Sequence, residues 1–440
     1  MNPVFLLQHE VTLRQEQGFD VSAVAGQIQA LSDDLPAQEV DDWYAKLDTM
    51  PVRSDFTYVE PSDLHEIRAV RPDGPRTLPR PDDETLSRKI LGAWLGRAAG
   101  CQLGKPVEGL PRRVIERYLK AAQAYPLDDY IPMLDTMPEG ITLHLSAPKS
   151  TKGNFTEMAR DDDMDYTVLG LHVMEKFGAD FCTSDVAETW LLHMPFHTVY
   201  TAERNAYRNL VNEVPLDQVP LRYNPFREWI GAQIRADGWA YASPCLPEQA
   251  AEYAWRDARL SHVGNGIYGE MWAAAMIAAA FAEPSGTATP EAIHRVIETG
   301  LSEIPANCRL AEAVRDVIAW HEQIADWEAA WDVLYAKYGS YHRLHTINNA
   351  ALVVLGLLYG NGDFGRSISI AVMGGWDTDC NGATTGSVLG AMIGVDALPE
   401  RWITPFNGRL RSAVIGYDGS QFTELARRTL ALSGSASTSR

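Results

Sequence analysis

Two clusters of acidic residues, far apart in the chain, are the residues best suited to chemistry. The later cluster lies in GGWDTDCNGATTGSVLG, residues 374–390, where Asp377 and Asp379 follow two glycines. Either aspartate could cap the following helix, because Asp is preferred at a helix N-terminus. The spacing up to Asn381 also fits the start of an EF-hand loop, but Val388 stands where that loop needs glutamate. What remains is part of an oxygen-rich site for a hard cation, which needs ligands from elsewhere.

The earlier cluster supplies more carboxylates. Asp161, Asp162, Asp163 and Asp165 fall within five positions, directly before an apolar pattern of helical period. The helix dipole favours acids in a first turn by about 0.3–1 kcal/mol each. Repulsion between adjacent carboxylates opposes this, so the run needs a cation or solvent. A solvated acidic turn is the alternative for this segment alone. Considered together, the two clusters predict two halves of one metal site.

Glycines recur every four residues in two segments, which places them on one face of a helix. One stripe runs from 92 to 104 and the other from 382 to 390. An interior glycine costs about 1 kcal/mol relative to alanine, so a stripe predicts close approach to another backbone. Membrane helices dimerise through such stripes, but charges such as Arg97 argue against that here. We predict that each stripe makes close contact in the core, either with the other striped helix or with another segment, and that Glu108 lies at the rim of that core.

The composition narrows the class of protein. The chain has 440 residues and a net charge of −20, which argues against a nucleic-acid partner but not against a nucleotide-sized ligand. Five scattered cysteines without C-x-x-C spacing favour a reducing compartment. The N-terminus lacks a signal-peptide pattern, and the apolar runs are too short to span a bilayer. We predict a soluble, cytoplasmic protein with no membrane partner; the sequence makes no prediction about its oligomeric state.

The chain divides at a proline-rich, charged stretch, RPDGPRTLPRPDD, which cannot continue a helix. We therefore predict an N-terminal helical extension and linker over residues 1–84 and a catalytic domain over 85–432. The tail SGSASTSR, residues 433–440, is predicted to be disordered. No internal repeat and no run of alternating strands is visible, so the predicted fold is all-α.

Two further segments carry polar residues that could face a pocket. One contains Arg235, which could equally be an ordinary loop residue. The other contains His262 and Asn265 in a glycine-containing loop before an alanine-rich helix, which must be buried because it is apolar on nearly all sides. His262 is therefore either a structural histidine or one that binds a ligand.

Four motifs in order resemble the ADP-ribosylglycohydrolase family: GAWLGRAAGCQLGKPVEG, RDDDMDYTVLGL, SHVGNGIYGEMWAAAMIAAAF and GGWDTDCNGATTGSVLGAMIG. The resemblance spans roughly residues 85–400, and four ordered motifs are far more specific than one. It implies a compact multi-helix orthogonal bundle around two Mg²⁺ ions, with Mn²⁺ as a substitute. It also implies hydrolysis of the bond between an anomeric ribose carbon and an attached group.

The resemblance also implies roles for individual residues. The family motif Thr-Asp-Asp-Thr, aligned without a gap, places Asp162 and Asp163 on its two aspartates. Asp161 then stands where the family has a ligating threonine. In the second motif, Asp-x-Asp-Thr, Asp377 and Asp379 match. The implied metal ligands are therefore Asp161, Asp162, Asp163, Asp377 and Asp379.

The remaining implied roles concern the chemistry and the substrate. Cys380 replaces the last threonine of the second motif, and a thiol is a softer ligand than a hydroxyl. Glu108 matches a glutamate implicated in the family's chemistry, and His262 matches a histidine lining the substrate pocket. Arg235 lies in a segment that resembles the family's pocket segment only loosely, and Asn265 lies in the loop of His262. We predict these last three as substrate-binding residues.

The expected activity is metal-dependent hydrolysis of an ADP-ribosylated substrate or an ADP-ribose derivative. A nucleoside N-glycosidase is the alternative, because a di-metal site that grips ribose does not require an ADP group. The second alternative is a non-catalytic relative that kept the fold for binding or structure. The intact carboxylates argue against it, because a structural protein has no use for such a cluster.

Overall fold

The computed structural model describes residues 2–433, and it confirms the all-α prediction. Apart from helices, this part of the chain forms one antiparallel pair of two-residue strands, β1 (Arg409–Leu410) and β2 (Ser420–Gln421). Ser433 ends the last helix, and the rest of the predicted disordered tail, 434–440, lies outside the described residues.

The α-helices of the described chain are numbered in chain order. They are α1 (Pro3–Glu16), α2 (Ser22–Gln29), α3 (Ala37–Asp48), α4 (Leu64–Val70), α5 (Asp83–Gly104), α6 (Arg112–Ala121), α7 (Asp162–Phe177), α8 (Thr183–His193), α9 (Thr201–Val211), α10 (Ala236–Ala242), α11 (Pro247–Ala258), α12 (Asn265–Ala280), α13 (Pro290–Leu301), α14 (Arg309–Gln323), α15 (Trp327–Tyr338), α16 (Thr346–Gly360), α17 (Phe364–Met373), α18 (Thr378–Ile393), α19 (Glu400–Ile403) and α20 (Phe422–Ser433). Short 3-10 helices occupy Lys105–Val107, Ala147–Lys149, Gly178–Asp180, Phe196–Thr198, Gln233–Arg235, Val395–Ala397 and Thr404–Phe406.

Helices α5 and α18 form the centre of the core, and they touch through their glycine faces. A Cβ atom added at Gly92 would lie 2.5 Å from the carbonyl oxygen of Gly390. Added at Gly96 or Gly100, it would come closer still to the carbonyl oxygens of Gly386 and Gly382. No side chain other than hydrogen fits at these positions. The predicted close contact between the two stripes is therefore confirmed.

The register of this contact shows that the two helices run antiparallel. The C-terminal end of α5 therefore lies beside the N-terminal end of α18, where Thr378 donates its hydroxyl to the carbonyl oxygen of Gly104 at 2.8 Å. Gly104 also leaves no room for a Cβ against the backbone of Thr378 and Asp379. The pairing places the segment after α5, with Glu108, next to the acidic start of α18.

Helix ends are fixed by the residues expected from their sequence. Asp82 caps α5 by accepting a hydrogen bond from the Thr85 amide at 2.8 Å, and Asp161 caps α7 in the same way. Gly394 ends α18 with φ 77°, a left-handed conformation that favours glycine. Helices α12 and α16 are buried along their whole length, as apolar helices of a large core must be.

The residues before α5 contain a small apolar cluster of their own in α1 to α3, which includes Leu7, Ile28 and Val40. The segment that follows runs along the main body, where Glu60 forms an ion pair with Arg309 at 2.7 Å. The division into an extension and a catalytic domain at residue 84 stays a prediction. None of the helices in residues 2–433 is long and apolar enough to cross a membrane.

The glycine contact generates the first testable prediction. Gly100→Ala forces a Cβ against the backbone of α18, and we expect it to lower the free energy of unfolding by about 3 kcal/mol or more. Gly26→Ala is the matched control, because Gly26 lies exposed in α2 with no atom of another segment within 4 Å of the added Cβ. The control should raise stability by about 1 kcal/mol, since alanine favours the helix. Urea unfolding measures both, and equal stability of Gly100→Ala and the parent protein would contradict the packing described.

Candidate active site

Three segments meet at one end of the α5–α18 pair and form an acid cluster. Glu108, Asp377 and Asp379 offer ligand oxygens that all lie within 4.8 Å of one another. Asp163, Asp379 and Cys380 form a second group on the same criterion. Asp379 belongs to both of these groups, so they form two adjacent candidate positions for a cation that share one carboxylate; Cys101, Asp161 and Asp163 form a third group.

Without a bound cation, the charged form of the buried carboxylates in this acid cluster is unfavourable. One oxygen of Asp379, Oδ1, is buried without any hydrogen-bond partner among the described residues. Burial, followed by the negative charges of Glu108 and Asp161, raises the pKa of Asp379 well above its usual range. Burial likewise raises the pKa of Asp163 and Asp377. Two or more divalent cations would reverse these shifts, because opposite charge favours the ionised carboxylate.

Asp161 differs from its neighbours because both of its oxygens have partners. Oδ1 accepts the amide hydrogen of Asp163 at 3.0 Å, and Oδ2 pairs with the ammonium of Lys105. Burial alone would raise the pKa of Asp161, but Lys105 lowers it to about 2. Asp161 is thus the cap of α7 and the counter-ion of Lys105, and its predicted role as a metal ligand stays a prediction.

Asp163 is oriented by a buried arginine of α5. The guanidinium of Arg97 donates to the backbone oxygen of Asp163 at 2.9 Å and to its Oδ1 at 3.0 Å, and lies 2.6 Å from Asp237. The other oxygen of Asp163, Oδ2, accepts from the thiol of Cys380 at 3.3 Å. Burial and the charge of Asp163 raise the pKa of that thiol, so Cys380 is held as a neutral donor facing the acid cluster.

Asp162 and Asp165 have different surroundings although they lie in the same run. Asp162 is half-buried and has no side-chain hydrogen bond within the described chain, while burial and the adjacent Asp161 raise its pKa. Asp165 accepts from the Ser412 hydroxyl at 2.7 Å and from the Ala413 amide at 2.9 Å. The Asp162 carboxylate is therefore free to bind a ligand, whereas the Asp165 carboxylate holds the loop of Ser412 and Ala413 in place.

Glu108 lies directly after the 3-10 turn that ends α5, half-exposed at the edge of the acid cluster. Its Oε2 is 3.4 Å from Nδ1 of His144. Burial and the negative charge of Asp377 raise the pKa of Glu108 to about 7, although His144 partly opposes the shift. A carboxyl group with this pKa exchanges protons readily near neutral pH, which suits general acid–base chemistry.

Asn349 of α16 fixes the first turn of α18. Its side-chain oxygen accepts the amide hydrogen of Asp377 at 3.2 Å and the side-chain amide of Asn381 at 2.8 Å. Trp376, just before Asp377, has φ 59°, so the chain turns sharply there. Sequence reasoning missed Asn349, although a polar residue early in an otherwise apolar helix is a signal that could have identified it.

Lys105, Arg97 and His144 were also missed as parts of the site. Lys105 and Arg97 lie 56 and 66 residues from Asp161 and Asp163, the carboxylates they pair with, so spacing along the chain gave no signal for these pairs. His144 lies in a loop-rich region where spacing gives no indication of which residues meet.

The three predicted substrate-binding residues lie in other polar surroundings. Arg235 is buried and forms ion pairs with Glu203 at 2.5 Å and Asp257 at 2.7 Å. Asn265 accepts the amide hydrogen of Leu310 at 3.0 Å and is buried at the start of α12. No hydrogen bond or ion pair described for residues 2–433 connects Arg235, Asn265 or His262 to the acid cluster. Their substrate-binding roles stay predictions.

His262 lies in the wall of a separate cavity of about 800 Å³. Burial and the charge of Arg235 lower its pKa well below the usual range, so the imidazole is neutral. Trp255 and Cys182 line the same cavity, and the residues of the acid cluster do not. The predicted role of His262 in a substrate pocket therefore stays a prediction, because none of the acid cluster's residues lines the cavity beside it.

Comparisons with known proteins agree with this architecture. The family model described as ADP-ribosylglycohydrolase matches residues 82–438. A solved structure titled "ADP-ribosylglycohydrolase-related protein complex" has a TM-score of 0.50 and 18% identity, and the match covers 80% of this chain and 99% of that one. At this identity the likeness shows a shared fold. No curated protein matches the chain. Because the family match spans most of the sequence, this chain belongs to the ADP-ribosylglycohydrolase family and is a glycohydrolase of the ADP-ribosyl type.

Proposed function

We propose that the protein is a divalent-cation-dependent hydrolase that cleaves the bond at the anomeric ribose carbon of an ADP-ribosylated substrate or an ADP-ribose derivative. The observation that carries the proposal is the pair of ligand groups that share Asp379, with Glu108 at their edge. The family membership supports the glycohydrolase class. The cation, the substrate and the individual roles are our inference from the residues.

The acid cluster fits two hard cations. Asp163, Asp377 and Asp379 supply carboxylate oxygens, and half-buried Asp162 has a free carboxylate beside them. Such ligands suit Mg²⁺, with Mn²⁺ as a substitute, better than they suit soft metals. The strongest support for a bound cation is the buried Oδ1 of Asp379, which has no hydrogen-bond partner in the described chain. A buried charge without a partner is costly.

The chain's own residues account for the proton transfers. Cleavage of a glycosidic bond passes through an oxocarbenium-like state. A bound divalent cation supplies Lewis acidity, which favours loss of a proton from water. Glu108 accepts that proton and delivers one to the leaving group, with His144 holding its carboxylate from one side. Asn349 keeps Asp377 in place during the reaction by holding the first turn of α18.

The substrate is identified by testing leaving groups directly. Proteins carrying ADP-ribose on arginine or serine, free ADP-ribose derivatives and nucleosides are incubated with the protein, with and without Mg²⁺. Release of ADP-ribose that requires Mg²⁺ supports the proposal. Cleavage of nucleosides alone would indicate the N-glycosidase alternative, and no turnover with intact cation binding would indicate a non-catalytic relative.

Cation binding is the second testable prediction. We expect calorimetry to detect Mg²⁺ or Mn²⁺ binding at two sites. The melting temperature should fall after chelation, because a ligand that binds only the folded state stabilises it. Asp83→Asn, in the exposed first turn of α5, is a control that should bind cations normally. The metal site is contradicted if no cation binds and chelator leaves the melting curve unchanged.

A third prediction separates the proton acceptor from the cation ligands. Glu108→Gln keeps the size of the side chain but removes the proton acceptor, so turnover should fall by a factor on the order of 10² to 10⁴. Asp379→Asn should lose cation affinity first and activity as a consequence. Steady-state kinetics and cation calorimetry on both variants distinguish the two roles. If Glu108→Gln loses cation affinity as strongly as Asp379→Asn, then Glu108 is a ligand, and near-normal turnover would exclude it as the base.

A fourth prediction concerns Cys380, which donates its thiol hydrogen to Asp163. In Cys380→Thr a hydroxyl takes the place of the thiol and returns a hard oxygen ligand, so Mg²⁺ affinity should be retained or increase. Cys245→Ser is a matched control for removing a buried thiol, because Cys245 lies outside the acid cluster. Loss of metal binding in Cys380→Thr alone would show that the thiol is itself a ligand and that the metal is softer than Mg²⁺.

A further inference from the structure

An unpaired guanidinium lies beside the acid cluster. Arg343 is exposed, and within the described residues its side chain has no hydrogen bond and no ion pair. A Cβ atom added at Gly109, the residue after Glu108, would lie 2.9 Å from its Nη1. The positive charge of Arg343 also acts on Asp377, where it opposes the effect of burial on the pKa. The guanidinium therefore lies where the segment after α5 meets the start of α18.

The position of Arg343 is fixed by its backbone. The side chain of Asn349 donates to the backbone oxygen of Arg343 at 2.8 Å, and the same side chain accepts from the amide of Asp377. On the other side, the amide of Ile230 donates to the carbonyl oxygen of Leu344 at 2.8 Å. The side chain of Asn349 thus connects the backbone of Arg343 to the segment that carries Asp377 and Asp379.

The two buried cations near the acid cluster behave differently from Arg343. Lys105 and Arg97 are paired at short range with Asp161 and Asp163. Arg343 is free although the chain has 58 acidic and 38 basic residues. The charge of Arg343 acts on Asp377 of the acid cluster, with which it forms no ion pair. A free guanidinium at this position attracts an anion that the carboxylates would otherwise repel.

Building on the proposed function, we propose that Arg343 binds a phosphate group of the substrate. The preferred substrate class is then a ribose that carries a phosphate or pyrophosphate, rather than a neutral nucleoside. A guanidinium is suited to this task, because its fork of N–H groups binds phosphate oxygens in pairs and stays charged. Because Gly109 has no side chain, the guanidinium of Arg343 has space at the edge of the acid cluster.

The test compares Arg343→Gln with the parent protein by calorimetry in Mg²⁺, using ADP-ribose and adenosine as probes. We expect the variant to bind ADP-ribose about 10- to 100-fold more weakly, which is the usual loss of a charge-assisted contact. Adenosine binding should stay within about twofold. Arg343→Lys should recover part of the affinity, because a point charge without the fork is retained. With a substrate that the parent cleaves, KM should rise while kcat changes little.

Arg366→Gln is the matched control. Arg366 is also exposed, and its guanidinium has no hydrogen bond or ion pair in the described part of the chain. It lies in α17, away from the acid cluster, so its replacement should leave both affinities unchanged. Cation affinity and melting temperature are measured for each variant, and we expect both to match the parent.

Four results would overturn the phosphate contact. The first is unchanged ADP-ribose affinity in Arg343→Gln, and the second is an equal loss for adenosine. The third is a change in cation affinity as large as the change for ADP-ribose, which would make Arg343 a counter-ion of the acid cluster. A parent protein that cleaves nucleosides and binds adenosine as tightly as ADP-ribose would also refute the contact, while leaving a metal-dependent glycohydrolase. Conversely, selective loss of ADP-ribose binding without turnover of any substrate would support Arg343 and refute the hydrolase.

Discussion

The contact between the glycine faces of α5 and α18 is the constraint on which the site depends. Because the two backbones touch from Gly92 to Gly104, the helices can neither separate nor slide without opening a void or a clash. Their antiparallel register places the end of one helix beside the start of the other. Glu108 and Asp379, about 270 residues apart in the chain, thereby become neighbours. The proximity of Glu108 and Asp379 thus follows from the packing of two uncharged glycine faces.

The electrostatics of the site then divide the carboxylates into two sets. Lys105 and Arg97 neutralise Asp161 and one side of Asp163, which fixes the first turn of α7 against α5. Asp379 receives no such partner from the described chain. Removing charge from water is expensive unless it is paired, so the unpartnered set costs stability until a ligand of opposite sign binds. The first set stabilises the packing of α7 on α5, and the second set is the one that would gain most from a bound cation.

The sequence predicted those parts of the site that rest on local pattern. The all-α fold, the contact between the stripes and the meeting of the two acid runs follow from glycine spacing and from the positions of acids before helices. The contacts of the polar partners were not predictable in this way, although a polar residue such as Asn349 early in an apolar helix can be noticed. Asn349 and Lys105 contact the acid cluster only because distant helices pack together, and spacing along one segment carries no information about that. Arg235 lies in a buried ion-pair network with Glu203 and Asp257, and its predicted substrate-binding role stays a prediction.

A second buried ion-pair network, around Arg309, borders the loop before α16. Arg309 pairs with Glu60 at 2.7 Å and with Glu228 at 2.8 Å. The carbonyl oxygen of Glu228 accepts the amide hydrogen of Thr346, the first residue of α16, at 3.1 Å. The loop that carries Arg343 therefore ends on Thr346, which is hydrogen-bonded to the backbone of Glu228. The side chain of Glu228 is held in turn by the buried ion pair with Arg309, and removing one partner of such a pair is costly. Since Glu60 precedes the family match, which begins at residue 82, residues outside that match take part in the ion pairs that border the loop of Arg343.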